Sequence, residues 1–153
     1  LEKIGVSLAK RPEWVVFDFL GVIVPFGVSS GLSYLGLGKK QVVDERIVAL
    51  MRDLADKDVH LAVASNSGLA WIESALSEVE NMPAIDKIIT PEDGALKPDV
   101  AYFQKLRLIL DASVDTVLFI DDREVNCQAA KAAGFNAFWY HGEVGELRQM
   151  LGF

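Results

Sequence analysis

Trp14-Val15-Val16-Phe17-Asp18-Phe19-Leu20-Gly21-Val22-Ile23-Val24 is the stretch that decides the fold. An apolar run four residues long ends in a carboxylate, and a glycine turn follows within three positions. A buried Asp at the end of a strand is costly unless something pairs with it. In a parallel α/β sheet, the carboxyl ends of the strands are where ligands bind. Asp18 is therefore a candidate site residue on grounds of position alone.

The same alternation continues outward. Short apolar runs at Trp14–Phe19, Val59–Ala64, Lys87–Thr90, Thr116–Ile120 and Asn136–Trp139 read as strands buried on both faces. Amphipathic stretches separate them. Val43, Ile47, Leu50 and Leu54 share one helical face, as do Leu69, Ile72, Leu76 and Val79. Phe103, Leu106 and Leu110 form a third stripe, Val125–Ala133 a fourth helix capped by Gly134, and Val144, Leu147 and Leu151 a fifth. Repeated strand–helix units predict an α/β domain: a parallel five-stranded sheet with right-handed crossovers and helices on both faces. One domain is expected over residues 1–153, with no repeat or linker.

Composition limits the function classes. At 153 residues and 51% hydrophobic, the chain can bury a sizeable core. A net charge of −7 argues against nucleic-acid binding, which needs basic surface to meet phosphates. No apolar stretch reaches membrane-spanning length, so no membrane partner is expected. The one cysteine, Cys127, lies in an Ala-rich helical stretch and reads as a small buried apolar residue. These features fit a cytoplasmic protein. Pro25–Lys40 breaks the rhythm with four glycines and scattered Phe26, Tyr34 and Leu35. It follows the Asp18 strand and is expected as a loop overhanging the site.

Polar residues recur at the strand ends. Strand one ends at Asp18, strand two at Ser65-Asn66, and strand four at Asp121-Asp122. Lys97 follows strand three in Gly94-Ala95-Leu96-Lys97-Pro98-Asp99. Singly, each is an ordinary turn or helix-capping residue. Brought to one edge, they make a hard-oxygen site suited to Mg²⁺, with a cation and a hydroxyl donor for a phosphoryl group. Asp18 then attacks phosphorus in line.

The chain resembles the haloacid dehalogenase-like (HAD) hydrolase superfamily almost end to end, on its phosphatase-like branch with a minimal cap. Asp18-Phe19-Leu20-Gly21-Val22-Ile23 resembles the family's first motif and Ala64-Ser65-Asn66 its second. Gly94–Asp99 resembles the third. Phe119-Ile120-Asp121-Asp122 with Asn126 resembles the fourth. The resemblance implies a three-layer Rossmann-like fold with little or no cap. It implies that Asp18 is the nucleophile and a Mg²⁺ ligand, with the Leu20 backbone carbonyl as a second ligand. Ser65 and Asn66 would bind phosphate, and Lys97 would offset charge on nucleophile and phosphate. Asp122 would ligate the metal, with Asp121 beside it as ligand or supporting group.

One position departs from the family pattern. Leu20 stands where its phosphatases carry an acid–base Asp, which typically contributes about 10²- to 10⁴-fold. The expectation is a Mg²⁺-dependent phosphohydrolase, weak on alkyl phosphates. Its substrate would be a phosphorylated small molecule or macromolecule. A homo-oligomer or protein partner is expected over Pro25–Lys40. Two alternatives remain open: a catalytically impaired HAD-like binding protein, and a metal-independent dehalogenase, for which the space between the first two motifs is too short to build a helical cap.

Overall fold

The structure, a computed structural model, describes residues 8–25 and 43–153. The expected overhanging loop therefore lies, from residue 26 onward, outside the described residues. Five strands form one parallel sheet: β1 (Trp14–Phe17), β2 (His60–Ala64), β3 (Lys87–Ile89), β4 (Val117–Asp121) and β5 (Asn136–Trp139). Their order is β3-β2-β1-β4-β5, so the chain leaves β1 in one direction and returns to its other side at β4. The carboxyl ends of β1 and β4 thus flank the crevice where such sheets bind ligands.

Among the described residues, five helices cover the sheet: α1 (Glu45–Asp56), α2 (Leu69–Ser77), α3 (Val100–Leu110), α4 (Glu124–Ala132) and α5 (Val144–Met150). Strand side chains alternate between two cores. Val15, Phe17, Leu61, Val63, Leu118 and Ile120 pack with α1, α2 and α5. Val16, Ala62, Ala64, Val117 and Phe119 pack with α3 and α4. The result is the three-layer Rossmann-like arrangement expected from the alternation of apolar runs and amphipathic stripes. Small buried residues, Ala130 on α4 and Ala137 on β5, let that Ala-rich helix approach the strands closely. Cys127 is buried there as an apolar filler, as its setting predicted.

Element ends differ slightly from the expected ones, for local reasons. β1 stops at Phe17, although the Asp18 N–H still donates to Ile120 O. Beyond it the chain folds back, with Val24 N–H donating to Phe19 O and Gly21 N–H to Val24 O. α1 begins after Asp44, whose side chain accepts from Arg46 N–H as an N-cap. Gly134 follows α4 with a φ of 97°, the left-handed conformation a helix stop requires. No described helix is long and apolar enough to cross a membrane.

The α3–α4 core is held by an aromatic group centred on Phe103. Its ring meets Tyr102, Phe119 and Phe135 at centroid distances of 5.6, 5.3 and 6.3 Å. Phe103→Ala is expected to cost about 3–5 kcal/mol. Equilibrium urea unfolding checks this, with the loss appearing in the midpoint at an unchanged slope.

Candidate active site

Asp18 is placed at the end of β1 by the sheet, and its carboxylate is fixed at once. Phe19 N–H donates to Oδ1 at 2.9 Å, and the Lys97 ammonium donates to the same oxygen at 2.9 Å. Lys97 also donates to Ala64 O at 2.8 Å and to Asp121 Oδ2 at 2.7 Å. One buried lysine thus ties together the ends of β1, β2 and β4. Its Nζ also lies 5.6 Å from the Phe119 ring centroid, within cation–π range.

The loop carrying Lys97 is aimed by Asn66. The Asn66 side chain donates to Lys97 O at 3.0 Å and accepts from Lys97 N–H at 2.9 Å. Ser65 Oγ accepts from Ser67 N–H at 2.9 Å, which leaves the hydroxyl proton available for a ligand. Asp18, Leu20, Ser65, Asn66, Lys97 and Asp122 line one cavity of about 160 Å³, together with Ser67, Arg123 and Asn126. That volume suits a group the size of phosphate.

Asp121 does not line the cavity. Its Oδ2 accepts from Lys97 and from Asn126 Nδ2, and its Oδ1 from Arg123 N–H. Both oxygens are therefore occupied within the protein. Asp122 is different: its buried Oδ1 has no hydrogen-bond partner.

With the site in view, comparison with known proteins is informative. The model of the haloacid dehalogenase-like hydrolase family matches residues 39–140. The chain belongs to the haloacid dehalogenase-like hydrolases. A hydrolase-type enzymatic function goes with that membership. Solved structures share the fold at low identity. A hydrolase from Streptococcus pneumoniae TIGR4 aligns with a TM-score of 0.76 at 16% identity, over 94% of this chain and 100% of its own. An L-2-haloacid dehalogenase aligns at 0.74 and 14%, over 94% and 99%. A HAD family enzyme from Bacteroides thetaiotaomicron, an aspartate-to-alanine variant in complex with magnesium and inorganic phosphate, aligns at 0.60 and 15%, over 85% and 94%. No curated protein sequence matches the chain significantly.

The acidic residues of this haloacid dehalogenase-like hydrolase fit a hard divalent cation. One carboxylate oxygen from each of Asp18, Asp121 and Asp122 lies within 4.8 Å of the others, although those of Asp121 already accept hydrogen bonds. An all-carboxylate set of this kind suits Mg²⁺ or a similar ion. The partnerless Asp122 Oδ1 is a natural donor. Among the described residues, no N–H donates to the Leu20 carbonyl, so it too is free to face a cation.

Electrostatics point the same way. Burial, the largest influence, pushes Asp18 up to about 8 against the pull of Lys97, and Asp121 adds to the rise. Burial likewise raises Asp122 above the usual carboxylate range. For Lys97, burial alone would lower the pKa, but Asp18 and Asp121 outweigh it and hold the ammonium charged.

Sequence reasoning placed Gly21 in a turn but missed its closeness to Asp122. Its φ is 104°, and a Cβ there would collide with the Asp122 carboxylate. Arg123 was also missed, although a lone cation directly after an Asp pair was visible in the sequence.

Two expectations follow. Gly21→Ala should cost about 1–3 kcal/mol through its backbone conformation and should also displace Asp122. Calorimetry would then show Mg²⁺ affinity falling while the circular dichroism spectrum stays native. Second, a cation must displace protons from carboxyls whose pKa values are raised. Mg²⁺ affinity should therefore rise as pH passes upward through 8, with proton release on binding. Titrations in two buffers of different ionisation enthalpy, on either side of that pH, check the sign.

Proposed function

We propose that this protein is a Mg²⁺-dependent phosphohydrolase that works through an aspartyl-phosphate on Asp18. The observation that carries this reading is the arrangement around Asp18. Its Oδ1 is held by Phe19 N–H and Lys97, so Oδ2 is left to act, at the wall of a phosphate-sized cavity.

In the first step, Asp18 Oδ2 attacks phosphorus. The new O–P bond forms as the bond to the leaving oxygen breaks, and that oxygen departs with the electron pair. Water then attacks the phosphorus of the aspartyl-phosphate, releasing phosphate and restoring the Asp18 carboxylate. Lys97 steadies the charge on Asp18 throughout, and Asp121 holds Lys97. Ser65, through its hydroxyl, and Asn66, through its backbone N–H, hold phosphoryl oxygens. Asp18, Asp122 and the Leu20 carbonyl would hold Mg²⁺, which when bound would supply positive charge favouring the ionised form of Asp18 and the phosphoryl group.

Leu20 lines the cavity and can neither protonate the leaving oxygen nor take a proton from water. The reading is therefore of an enzyme suited to good leaving groups, such as aryl or acyl phosphates, and weak on alkyl phosphates. It belongs to the phosphatase-like branch with a minimal cap, with residues 1–153 as one domain and Pro25–Lys40 in place of the cap. The substrate is a phosphorylated small molecule or macromolecule, and a second copy or protein partner over Pro25–Lys40 completes the picture. A cytoplasmic setting is in keeping with the single, buried, free thiol of Cys127.

Hydrolysis of para-nitrophenyl phosphate tests the reading. Turnover should require Mg²⁺ and disappear in Asp18→Asn. Leu20→Asp should raise turnover of alkyl phosphates by about 10²-fold or more. A parent rate no higher than that of Asp18→Asn would remove the phosphohydrolase reading, and halide release from a haloacid in EDTA would replace it with dehalogenation.

A further inference from the structure

The cation expected to meet the phosphoryl group is Lys97, yet its ammonium is already saturated. An ammonium has three N–H donors. Those of Lys97 end on Asp18 Oδ1, Ala64 O and Asp121 Oδ2 at 2.7–2.9 Å. None remains for a ligand. The Asn66 side chain is likewise turned onto the Lys97 backbone.

Arg123 lines the same cavity. It is exposed, and its guanidinium makes no ion pair and no hydrogen bond among the described residues. Its neighbour Glu124 accepts from Gln128 Nε2, and no ion pair joins Glu124 to Arg123 among the described residues. Its backbone, in contrast, is pinned. The Arg123 N–H donates to Asp121 Oδ1 at 2.9 Å, and its carbonyl accepts from Asn126 and Cys127 N–H. A long cationic side chain therefore springs from a fixed point at the end of β4, beside Asp122.

The charge balance of the cavity calls for such a group. Two carboxylates pair with Lys97 and a third, Asp122, lies beside them, so a divalent ion would bring this set to neutrality. An entering phosphate dianion is then left without an opposite charge. Resting on the phosphohydrolase reading above, we propose that Arg123 binds the phosphoryl oxygens of the substrate directly. Its planar fork is matched to two oxygens of a phosphoryl group. It stands open and solvated until that group arrives, and it takes the substrate-facing role that Lys97 gives up by holding Asp18 and Asp121. An exposed arginine with no such role would be a solvated surface residue, and its removal would leave phosphate binding unchanged.

The experiment measures inorganic phosphate binding by calorimetry to the full chain in saturating Mg²⁺, for the parent, Arg123→Gln and Arg123→Lys. Arg123→Gln should weaken phosphate binding by about tenfold or more, and Arg123→Lys by less, because charge survives without the fork. Mg²⁺ affinity and the phosphate-free melting temperature should not move. Unchanged phosphate affinity in Arg123→Gln overturns the proposal. So does a parallel loss of Mg²⁺ affinity or of melting temperature, which would make the residue structural. Para-nitrophenyl phosphate separates the two readings. A parent that binds phosphate through Arg123 but turns nothing over sinks the phosphohydrolase and leaves Arg123 standing. A parent that turns over substrate, with Arg123→Gln unaltered in KM and phosphate affinity, sinks Arg123 alone. A parent that binds no phosphate overturns both.

Discussion

The Lys97 ammonium, buried between Asp18 and Asp121, is the interaction on which the rest of the site depends. Two carboxylates and an ammonium out of water would be strongly unfavourable in isolation. Together they satisfy one another, and the Ala64 carbonyl accepts the remaining proton. Removing Lys97 leaves two buried carboxylates without their cation, and removing either carboxylate leaves a buried Lys97 N–H without its acceptor. The constraint also fixes positions: β1, β2 and β4 must end level with one another for three oxygens to meet one nitrogen. The parallel register, with Phe17 beside both Val63 and Ile120, delivers that alignment.

This arrangement divides labour among acidic residues that look equivalent in the chain. Asp121 is the last residue of β4 and points its carboxylate at Lys97 and Asn126. Asp122 is the first residue beyond the strand and turns to the cavity. Adjacent side chains on an extended backbone face opposite ways, so neighbours in sequence acquire different partners. The one is neutralised within the protein, while the other keeps an oxygen without a donor.

Much of the fold was legible because it rests on periodicity. Uninterrupted apolar runs marked strands covered on both sides, and the stripes of α1 and α3 marked the faces they bury. The site was legible as far as its residues stood at strand ends: Asp18, Ser65, Asn66, Lys97 and Asp122 all reach one cavity. Other features were not. That a side chain at position 21 would meet the Asp122 carboxylate depends on a residue a hundred positions away in the chain, and no local pattern carries that information. The saturation of Lys97 is a matter of distances to three separate strands. The end of β1 at Phe17 instead of Phe19 follows from the fold-back of Phe19–Val24, which an apolar composition disguises as continued strand.

The pairing of Asn66 with the Lys97 backbone has a consequence for how the site comes apart. A side-chain amide that gives to a carbonyl and takes from an N–H of one residue imitates a neighbouring strand. The sheet is in effect prolonged by one rung past the ends of β2 and β3. Residues at this edge inherit the cooperativity of the core, whereas a free loop would fluctuate alone. The shape that receives a ligand is thereby tied to the ends of the strands.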